Sequence, residues 1–301
     1  MRTFAPGLAL LCLAAAAQGQ GVTRSEPQAS HARAVDERAR RFAALPNWTG
    51  IWETRLSAAM ASGEIKTIIA QDAHNPNRPE FNFAPPGILH PFEMEFFRLV
   101  QLLQKPPYNP QWEANYRSQV ARLTQTPAST SDGNAVKACT WGFPLLMESP
   151  TDGVFQLFVT PEETLFLFAN GEVRHIYTDG RPHPRKEDLW PTSQGNSIGR
   201  WEGHTLVIET IARTPGPVIP DPRFISPDFS DQARFIERLR KVDRNALQDE
   251  LTIEDPARLA HPWRVTLHYR RVTDMDRLIA TNCTENDRNP VVDGQLTIAP
   301  R

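Results

Sequence analysis

Residues suited to proton transfer are concentrated between Val173 and Thr210. His183 and His204 lie in this stretch, and histidine is the side chain that changes charge near neutral pH. A histidine within hydrogen-bond reach of a carboxylate, such as Asp179 or Glu209, can act as a general acid or base. The candidate catalytic residues are therefore His183, His204, Asp179 and Glu209.

The same stretch contains residues suited to binding a ligand. Arg181 presents a planar set of donors that matches a carboxylate or phosphate, and Trp201 presents a flat apolar face. With His183 and Glu209, they are the predicted ligand-binding residues. A structural interpretation stays open, in which Arg181 packs on Trp201 and the loop histidines are solvated.

A predicted strand and a stiff loop position the first of these side chains. Residues 172–178 alternate as in a strand, so that Arg174 and Ile176 point to one face and the odd-numbered residues to the other. Asp179-Gly180 indicates a turn. The two prolines within 181–184 fix φ and remove donors, which favours a rigid loop over a ladder.

A hairpin is predicted after this loop. Residues 198–201 are a short strand, Glu202-Gly203 is the turn, and residues 204–211 are the return strand. Binding residues are often held on loops between stiff strands, so this region is where we expect a site.

Three ordered motifs in this region resemble those of a known family. They are Asp-Gly-Arg-Pro-His-Pro at 179–184, Ser-Ile-Gly-Arg-Trp-Glu-Gly at 197–203 and Thr-Leu-Val-Ile-Glu-Thr at 205–210. They are similar to a large family of uncharacterised secreted bacterial proteins, which carries DGRPHP followed by S-x-G-x-WEGDTLVVDT. The resemblance covers the later part of the chain and implies export, but no particular activity. The chain departs from the family at His204 and Glu209, where the family carries aspartate, so any chemistry of those aspartates is in doubt here.

The second half of the chain reads as a series of short strands. Asn170-Gly171 is the strongest hairpin signal, and several strands, such as residues 155–159, are apolar on both faces. The further predicted strands lie at 154–160, 164–169, 232–242, 246–254, 264–273 and 277–283. We predict an α+β, mainly β fold, in which an antiparallel meander forms a barrel or strongly curved sheet with two or three helices packed on it.

Helical spacing is confined to a few segments. The apolar residues within 92–104 are spaced so that they share one face of a helix. Asn109 is a predicted cap for a second helix, which has Pro110 in its first turn. The expected organisation is a single β-rich domain over 47–301 with a helical insertion at about 92–125, preceded by a polar leader and short helix over 18–46.

One carboxylate falls on an apolar strand face. Glu237 shares a face with Phe235 and Leu239, and a buried carboxylate needs a partner. Either a cross-strand ion pair with an arginine or a ligand contact inside the barrel would supply it.

The first 17 residues are typical of a signal peptide, with Arg2 followed by a short apolar run and small residues. We therefore expect a periplasmic or secreted protein. Cys139 and Cys283 remain after cleavage, and an even pair in an oxidising compartment favours one disulfide.

Composition and motifs exclude several function classes. The formal net charge is −2 and no basic run stands out, which argues against nucleic-acid binding. No metal-ligand spacing, P-loop or dinucleotide motif is present, so no metal or cofactor is predicted. The sequence does not predict the oligomeric state.

The leading hypothesis is a barrel that binds a small, largely apolar molecule. The alternatives are a cofactor-independent hydrolase or lyase with a His/carboxylate pair, and a structural envelope protein.

Overall fold

The computed structural model describes residues 26–78, 91–125, 142–149, 153–219, 224–280, 291–292 and 295–296. The chain divides into two compact units, one that ends at Ala43 and one that begins at Ala44. In the first unit, the described residues form helix α1 (Glu26–Ala43), on which Arg40 donates to Glu37 at 2.6 Å. This helix lies within residues 18–46, for which a polar leader and a short helix were predicted.

The second unit contains a nine-stranded closed barrel and four further helices among the described residues. The helices are α2 (Arg55–Ser62), α3 (Ile65–Ala73), α4 (Pro91–Arg98) and α5 (Pro110–Gln125), with 3-10 turns at Gln101–Leu103, Leu145–Glu148 and Lys186–Asp188. The strands are β1 (Gly50–Thr54), β2 (Phe155–Val159), β3 (Glu163–Phe168), β4 (Val173–Tyr177), β5 (Asn196–Glu202), β6 (Thr205–Ile211), β7 (Gly216–Pro217), β8 (Asp228–Phe229), β9 (Arg234–Asp243), β10 (Ala246–Glu254), β11 (Trp263–Val272), β12 (Val291–Val292) and β13 (Gln295–Leu296).

The predicted barrel is confirmed. Its strand order is β1-β11-β10-β9-β6-β5-β4-β3-β2, and β1 closes it by pairing with both β11 and β2. The small sheets β7-β8 and β12-β13 lie outside this order. This double pairing of β1 leaves the barrel sheet without an edge strand, and alternation directs every second side chain to the common interior.

One pair of strands departs from the predicted antiparallel meander. Strands β4 and β5 are parallel, with Ile176 opposite Ser197 and Tyr177 opposite Ile198. Parallel neighbours cannot be joined by a tight hairpin, so the chain must return along the barrel between them. The long connection from Thr178 to Gly195 is that return, and it contains the DGRPHP motif.

The strand predicted over 277–283 is not formed where the structure describes it. Residues 277–280 are irregular, and the remainder lies outside the described residues. Strand β11 already pairs with β10 on one side and β1 on the other, so the predicted strand has no free edge to join near Tyr269. The first strand of the chain, rather than a late one, completes the barrel.

The helix predictions were correct for α4 and α5 but missed α2 and α3. Asn109 caps α5 as predicted, because its side-chain oxygen accepts the Trp112 amide at 3.0 Å. Helix α2 directly follows β1 and buries Leu56, and α3 follows α2 and buries Ile65. Cys139 and Cys283, together with the predicted signal segment 1–17, lie outside the described residues.

Aromatic and aliphatic side chains fill the barrel interior. Phe155 packs on Phe166 at 5.0 Å between ring centroids and on Tyr269 at 5.1 Å. The buried residues of β9, β10 and β11 alternate along each strand, as expected for one interior face. This apolar packing surrounds a small group of buried polar side chains.

Candidate functional site

A buried ion pair crosses the barrel interior. The Arg174 guanidinium on β4 donates through Nη1 to Glu237 Oε1 at 2.8 Å and through Nη2 to Glu237 Oε2 at 2.5 Å. Both side chains are 1% exposed. Nη2 also donates to the Thr210 hydroxyl at 2.8 Å, and the Phe143 ring lies 4.0 Å from the guanidinium. The partner predicted for Glu237 is therefore an arginine, from the opposite side of the barrel.

A second carboxyl lies beside this pair. Asp249 is fully buried on β10, and neither of its oxygens accepts a hydrogen bond from a donor group in the described part of the chain. Burial, and then the negative charge of Glu237, hold the pKa of Asp249 well above its usual range. Two adjacent carboxyls in an apolar interior share a proton, and the raised pKa assigns that proton to Asp249 rather than to the ion-paired Glu237.

Tyr269 contributes a hydroxyl to the same interior. This residue on β11 is 2% exposed, and its hydroxyl has no hydrogen-bond partner among the described residues. Burial raises the pKa of Tyr269 well above its usual value, and the acidic groups nearby raise it further. The phenol therefore keeps its proton and remains an unused donor.

Among the described residues, part of β11 has no strand neighbour on one side where β1 ends. The pairing of β1 with β11 runs from Ile51 opposite Val272 to Thr54 opposite Tyr269, so the earlier part of β11 extends past β1. The side chain of Gln101 occupies the place of a neighbouring strand there. Its Nε2 donates to the Thr266 carbonyl at 2.7 Å, and its Oε1 accepts from the Thr266 amide at 3.5 Å.

A cavity of about 190 Å³ lies at this point. We call it the β1-end cavity. Most of its wall is apolar, and it also includes a carboxyl, a phenol and an imidazole. Its lining residues are Thr54, Arg55, Leu56, Ile68, Leu99, Gln101, Met147, Glu148, Leu267, His268 and Tyr269. An adjoining cavity of about 220 Å³ towards α2 and α3 shares Arg55, Ile68, His268 and Tyr269 with it.

Glu148 is the ionisable wall residue with the most perturbed environment. It is 6% exposed in the 3-10 turn before Ser149, and its Oε2 accepts the Leu102 amide at 2.8 Å. Burial raises the pKa of Glu148 to about 7, although hydrogen bonds from Leu102 and Gln101 oppose the rise. The carboxyl is therefore present in both protonation states near neutral pH.

The structure separates the predicted loop site into small clusters. Arg181 forms an exposed ion pair with Asp179, with Nη2 to Oδ2 at 2.6 Å, and its guanidinium lies 4.2 Å from the Tyr177 ring centroid. Hydrogen bonding from Arg181 lowers the pKa of Asp179. Arg181 packs on Tyr177, rather than on Trp201 as the structural interpretation proposed.

His183 and Glu209 do come together, on the outer face of β6. His183 Nε2 lies 3.6 Å from Glu209 Oε1, and His183 Nδ1 lies 2.7 Å from Asn196 Oδ1. Arg234 donates to Glu209 at 2.6 Å, and this hydrogen bond lowers the pKa of Glu209. A carboxylate held by an arginine is a weak base, so the arrangement is better suited to fixing the loop than to taking a proton.

The remaining predicted residues lie elsewhere on the barrel. Trp201 packs edge-on against Trp48 with ring centroids 5.0 Å apart. His204 lies in the β5–β6 turn, rather than at the start of β6, and with Trp48 it lines an open depression of about 480 Å³ near the turn after β9. The exposed carboxylate of Glu202 binds Arg200 and Arg238. None of these residues lines the β1-end cavity.

Sequence reasoning missed the residues of the β1-end cavity and of the interior behind it. Asp249 carried a usable signal, because it shares the apolar face of Leu247 and Leu251 just as Glu237 shares that of its neighbours. Glu148 carried none, since a 3-10 turn has no strand or helix period to reveal which side chain faces inward.

No group of three or more His, Cys, Asp or Glu side chains in the described ranges is arranged to hold a metal ion. No helix in that part of the chain has both the length and the apolar character needed to cross a membrane. No protein-family model, curated protein or solved structure matches this chain.

Proposed function

We propose that this protein binds a small, largely apolar molecule that carries one polar group, and that the β1-end cavity is the binding site. The observation that carries the proposal is a mainly apolar cavity whose wall includes Tyr269, a residue with a buried hydroxyl that has no hydrogen-bond partner among the described residues. A buried hydroxyl without a partner costs roughly 1–3 kcal/mol, so a ligand group that accepts its hydrogen bond recovers that free energy.

The size of the cavity restricts the ligand. At about 190 Å³ the β1-end cavity is below the roughly 300–1,000 Å³ typical of drug-sized sites. The adjoining cavity gives room for a substituent in the direction of α2 and α3. A ligand of one or two rings matches this space and the side chains of Leu56, Leu99 and Leu267.

The polar wall residues favour a neutral ligand. The protonated Tyr269 hydroxyl donates to an oxygen acceptor, while the Glu148 carboxyl disfavours an anion nearby once it is ionised. A ketone, an aldehyde or an alcohol fits these groups better than a carboxylate or a phosphate.

Binding of indanone, a neutral bicyclic ketone, tests the proposal. Saturation-transfer NMR should detect contact between the protein and the aromatic protons of the ketone. Ile68→Trp fills the space at the junction of the two cavities and should abolish the transfer. Val120→Trp is the matched control, since Val120 is also a half-buried apolar helix residue but lines neither cavity. Equal transfer in both variants would contradict the proposed site.

Export of the protein is part of the same proposal. It is supported by the sequence of residues 1–17 and by the resemblance of the DGRPHP and SIGRWEG motifs to a secreted family. Mass spectrometry of the protein from a periplasmic fraction should find an N-terminus near Gln18. An intact Met1 in that fraction would contradict the cleavage. Free thiols at Cys139 and Cys283 would contradict the disulfide predicted from the sequence.

A further inference from the structure

We infer that the β1-end cavity is also a proton-transfer site, in which Glu148 removes a proton from the carbon next to a ligand carbonyl and Tyr269 stabilises the resulting enolate oxygen. The inference rests on the proposed function, since the substrate must first occupy the cavity. It assigns the ligand to small, neutral, largely apolar ketones and aldehydes with a C–H group beside the carbonyl.

Glu148 has the position and environment of a general base. Its carboxyl lines the cavity, is 6% exposed, and is fixed by the Leu102 amide at 2.8 Å. A fixed carboxyl in an apolar wall is a stronger base than a solvated one, because water no longer stabilises its charge. Its pKa of about 7 places it where a general acid–base group works best at neutral pH.

Tyr269 supplies the complementary donor. Its hydroxyl is buried without a partner among the described residues, and its pKa is raised, so it has a proton to donate and nothing within the described structure to receive it. Glu148 and Tyr269 both line the β1-end cavity, so the base and the donor belong to residues of the same pocket. A donor that is already desolvated and aimed by its packing stabilises developing charge without reorganisation.

The chemical step balances without a cofactor. The C–H bond next to the carbonyl breaks, its proton bonds to the Glu148 carboxylate, and its electron pair forms the C=C bond of an enolate. Negative charge develops on the ligand oxygen, which accepts the Tyr269 hydrogen bond. The protonated Glu148 carboxyl exchanges its proton with solvent and then returns a proton to carbon. Return to the same atom gives exchange, and return to a neighbouring atom of a conjugated ligand gives isomerisation.

Other charged groups around the cavity determine the pH profile. Arg55 and His268 lie on its wall with Glu148 and Tyr269, while Arg174, Glu237 and Asp249 lie behind Tyr269. The base must be deprotonated to act, so the rate should rise with pH and reach half its plateau near pH 7.

Hydrogen–deuterium exchange of indanone tests the inference with the same probe as the binding experiment. Proton NMR in D₂O follows loss of the methylene signal beside the carbonyl, while the aromatic signals report binding. The wild-type protein should accelerate the exchange above buffer with the pH profile described. Glu148→Gln should still bind indanone and lose at least about 100-fold of the catalysed rate. Glu250→Gln, an exposed carboxylate on β10, is the matched control and should leave the rate unchanged.

The outcomes separate the two proposals. Binding without accelerated exchange would overturn the inference and leave the proposed function intact, whereas absence of binding would overturn both. Full exchange activity in a folded Glu148→Gln protein would also overturn the inference. If that variant does not fold, the wild-type pH profile decides, because a rate that does not change between pH 5 and 9 contradicts a base with the pKa of Glu148.

Discussion

The guanidinium of Arg174 and the carboxylate of Glu237 form two hydrogen bonds inside the barrel, although 63 positions separate them in the chain. The pair links β4 with β9 across the interior, and Asp249 adds a proton-sharing carboxyl. A buried pair of this kind is weak evidence for net stability, but breaking it leaves an uncompensated charge. The two carboxyl side chains should therefore respond very differently to substitution.

Glu237→Gln should lower the free energy of unfolding by roughly 3 kcal/mol, because Arg174 loses its bidentate partner and the buried Asp249 must ionise in its place. Asp249→Asn should change it by less than about 1 kcal/mol, since the asparagine amide still donates to Glu237 as the protonated Asp249 does. Urea unfolding monitored by tryptophan fluorescence measures both. Equal losses in the two variants would contradict the assignment of the shared proton to Asp249.

The double variant provides a further check. In Glu237→Gln alone, Asp249 can ionise and become the counter-charge of Arg174. That rescue is lost when Asp249→Asn is added, so the double variant should be less stable than the sum of the single effects. Simple additivity would show that Asp249 does not interact with the pair.

The raised pKa of Glu148 predicts a stability that depends on pH. Its value rises from 4.5 to about 7 on folding, so the folded state holds this proton more tightly than the unfolded state. The stabilisation is complete below about pH 4.5 and is lost as the pH rises through 7, by about 3 kcal/mol in total. Glu148→Gln lacks this change.

Free energies of unfolding at pH 5 and pH 8 measure the effect. Between the two pH values, the wild type should lose stability relative to Glu148→Gln. Asp249 changes the stability with pH in the same direction, and comparison with the variant removes this contribution. A gap between the two proteins that does not depend on pH would contradict the environment assigned to Glu148.

Tyr269→Phe should separate stability from function. Removal of a buried hydroxyl that has no partner among the described residues should leave the free energy of unfolding unchanged or raise it by about 1 kcal/mol. The same change removes the donor for the ligand and should weaken indanone binding about tenfold. Thermal unfolding and NMR titration measure the two effects. A clear loss of stability would mean that the hydroxyl has a structural partner.

Substitutions in the DGRPHP loop should have little effect on the β1-end cavity. Arg181→Ala removes an exposed ion pair with Asp179, so the urea midpoint should not shift measurably. His183→Ala should lower stability more, because it removes contacts with Asn196 and Glu209. Both variants should bind indanone as wild type does. Loss of binding in either one, in a folded protein, would favour the loop site predicted from sequence.

The sequence predicted those features of the fold that depend on local periodicity. Strand-like residue patterns placed β2 to β6 and β9 to β11, and the Asn109 cap located the start of α5. The same periodicity placed Glu237 on an interior face and required it to have a partner. It could not identify Arg174 as that partner, because the meeting of β4 and β9 side chains depends on barrel closure by β1.

The β1-end cavity could not be predicted for a related reason. Its polar residues come from distant segments, with Glu148 in a 3-10 turn, Gln101 in another and Tyr269 on β11. Gln101 reaches this place because its side chain bonds the free edge of β11 beside Thr266. No regular spacing of residues in the sequence predicts such a contact. The motif-rich loop drew the sequence prediction instead, although its charged residues mainly bind one another.

The most direct test of the proposed function is to locate a bound ketone in a crystal structure. Bromoindanone is suitable, since the anomalous scattering of bromine identifies its position independently of the rest of the electron density. The expected result is one bromine peak in the β1-end cavity, among Leu56, Leu99 and Leu267, with the carbonyl oxygen within about 3 Å of the Tyr269 hydroxyl. A peak beside His183 or Trp201, or a fully occupied site outside the cavity with none inside it, would contradict the account.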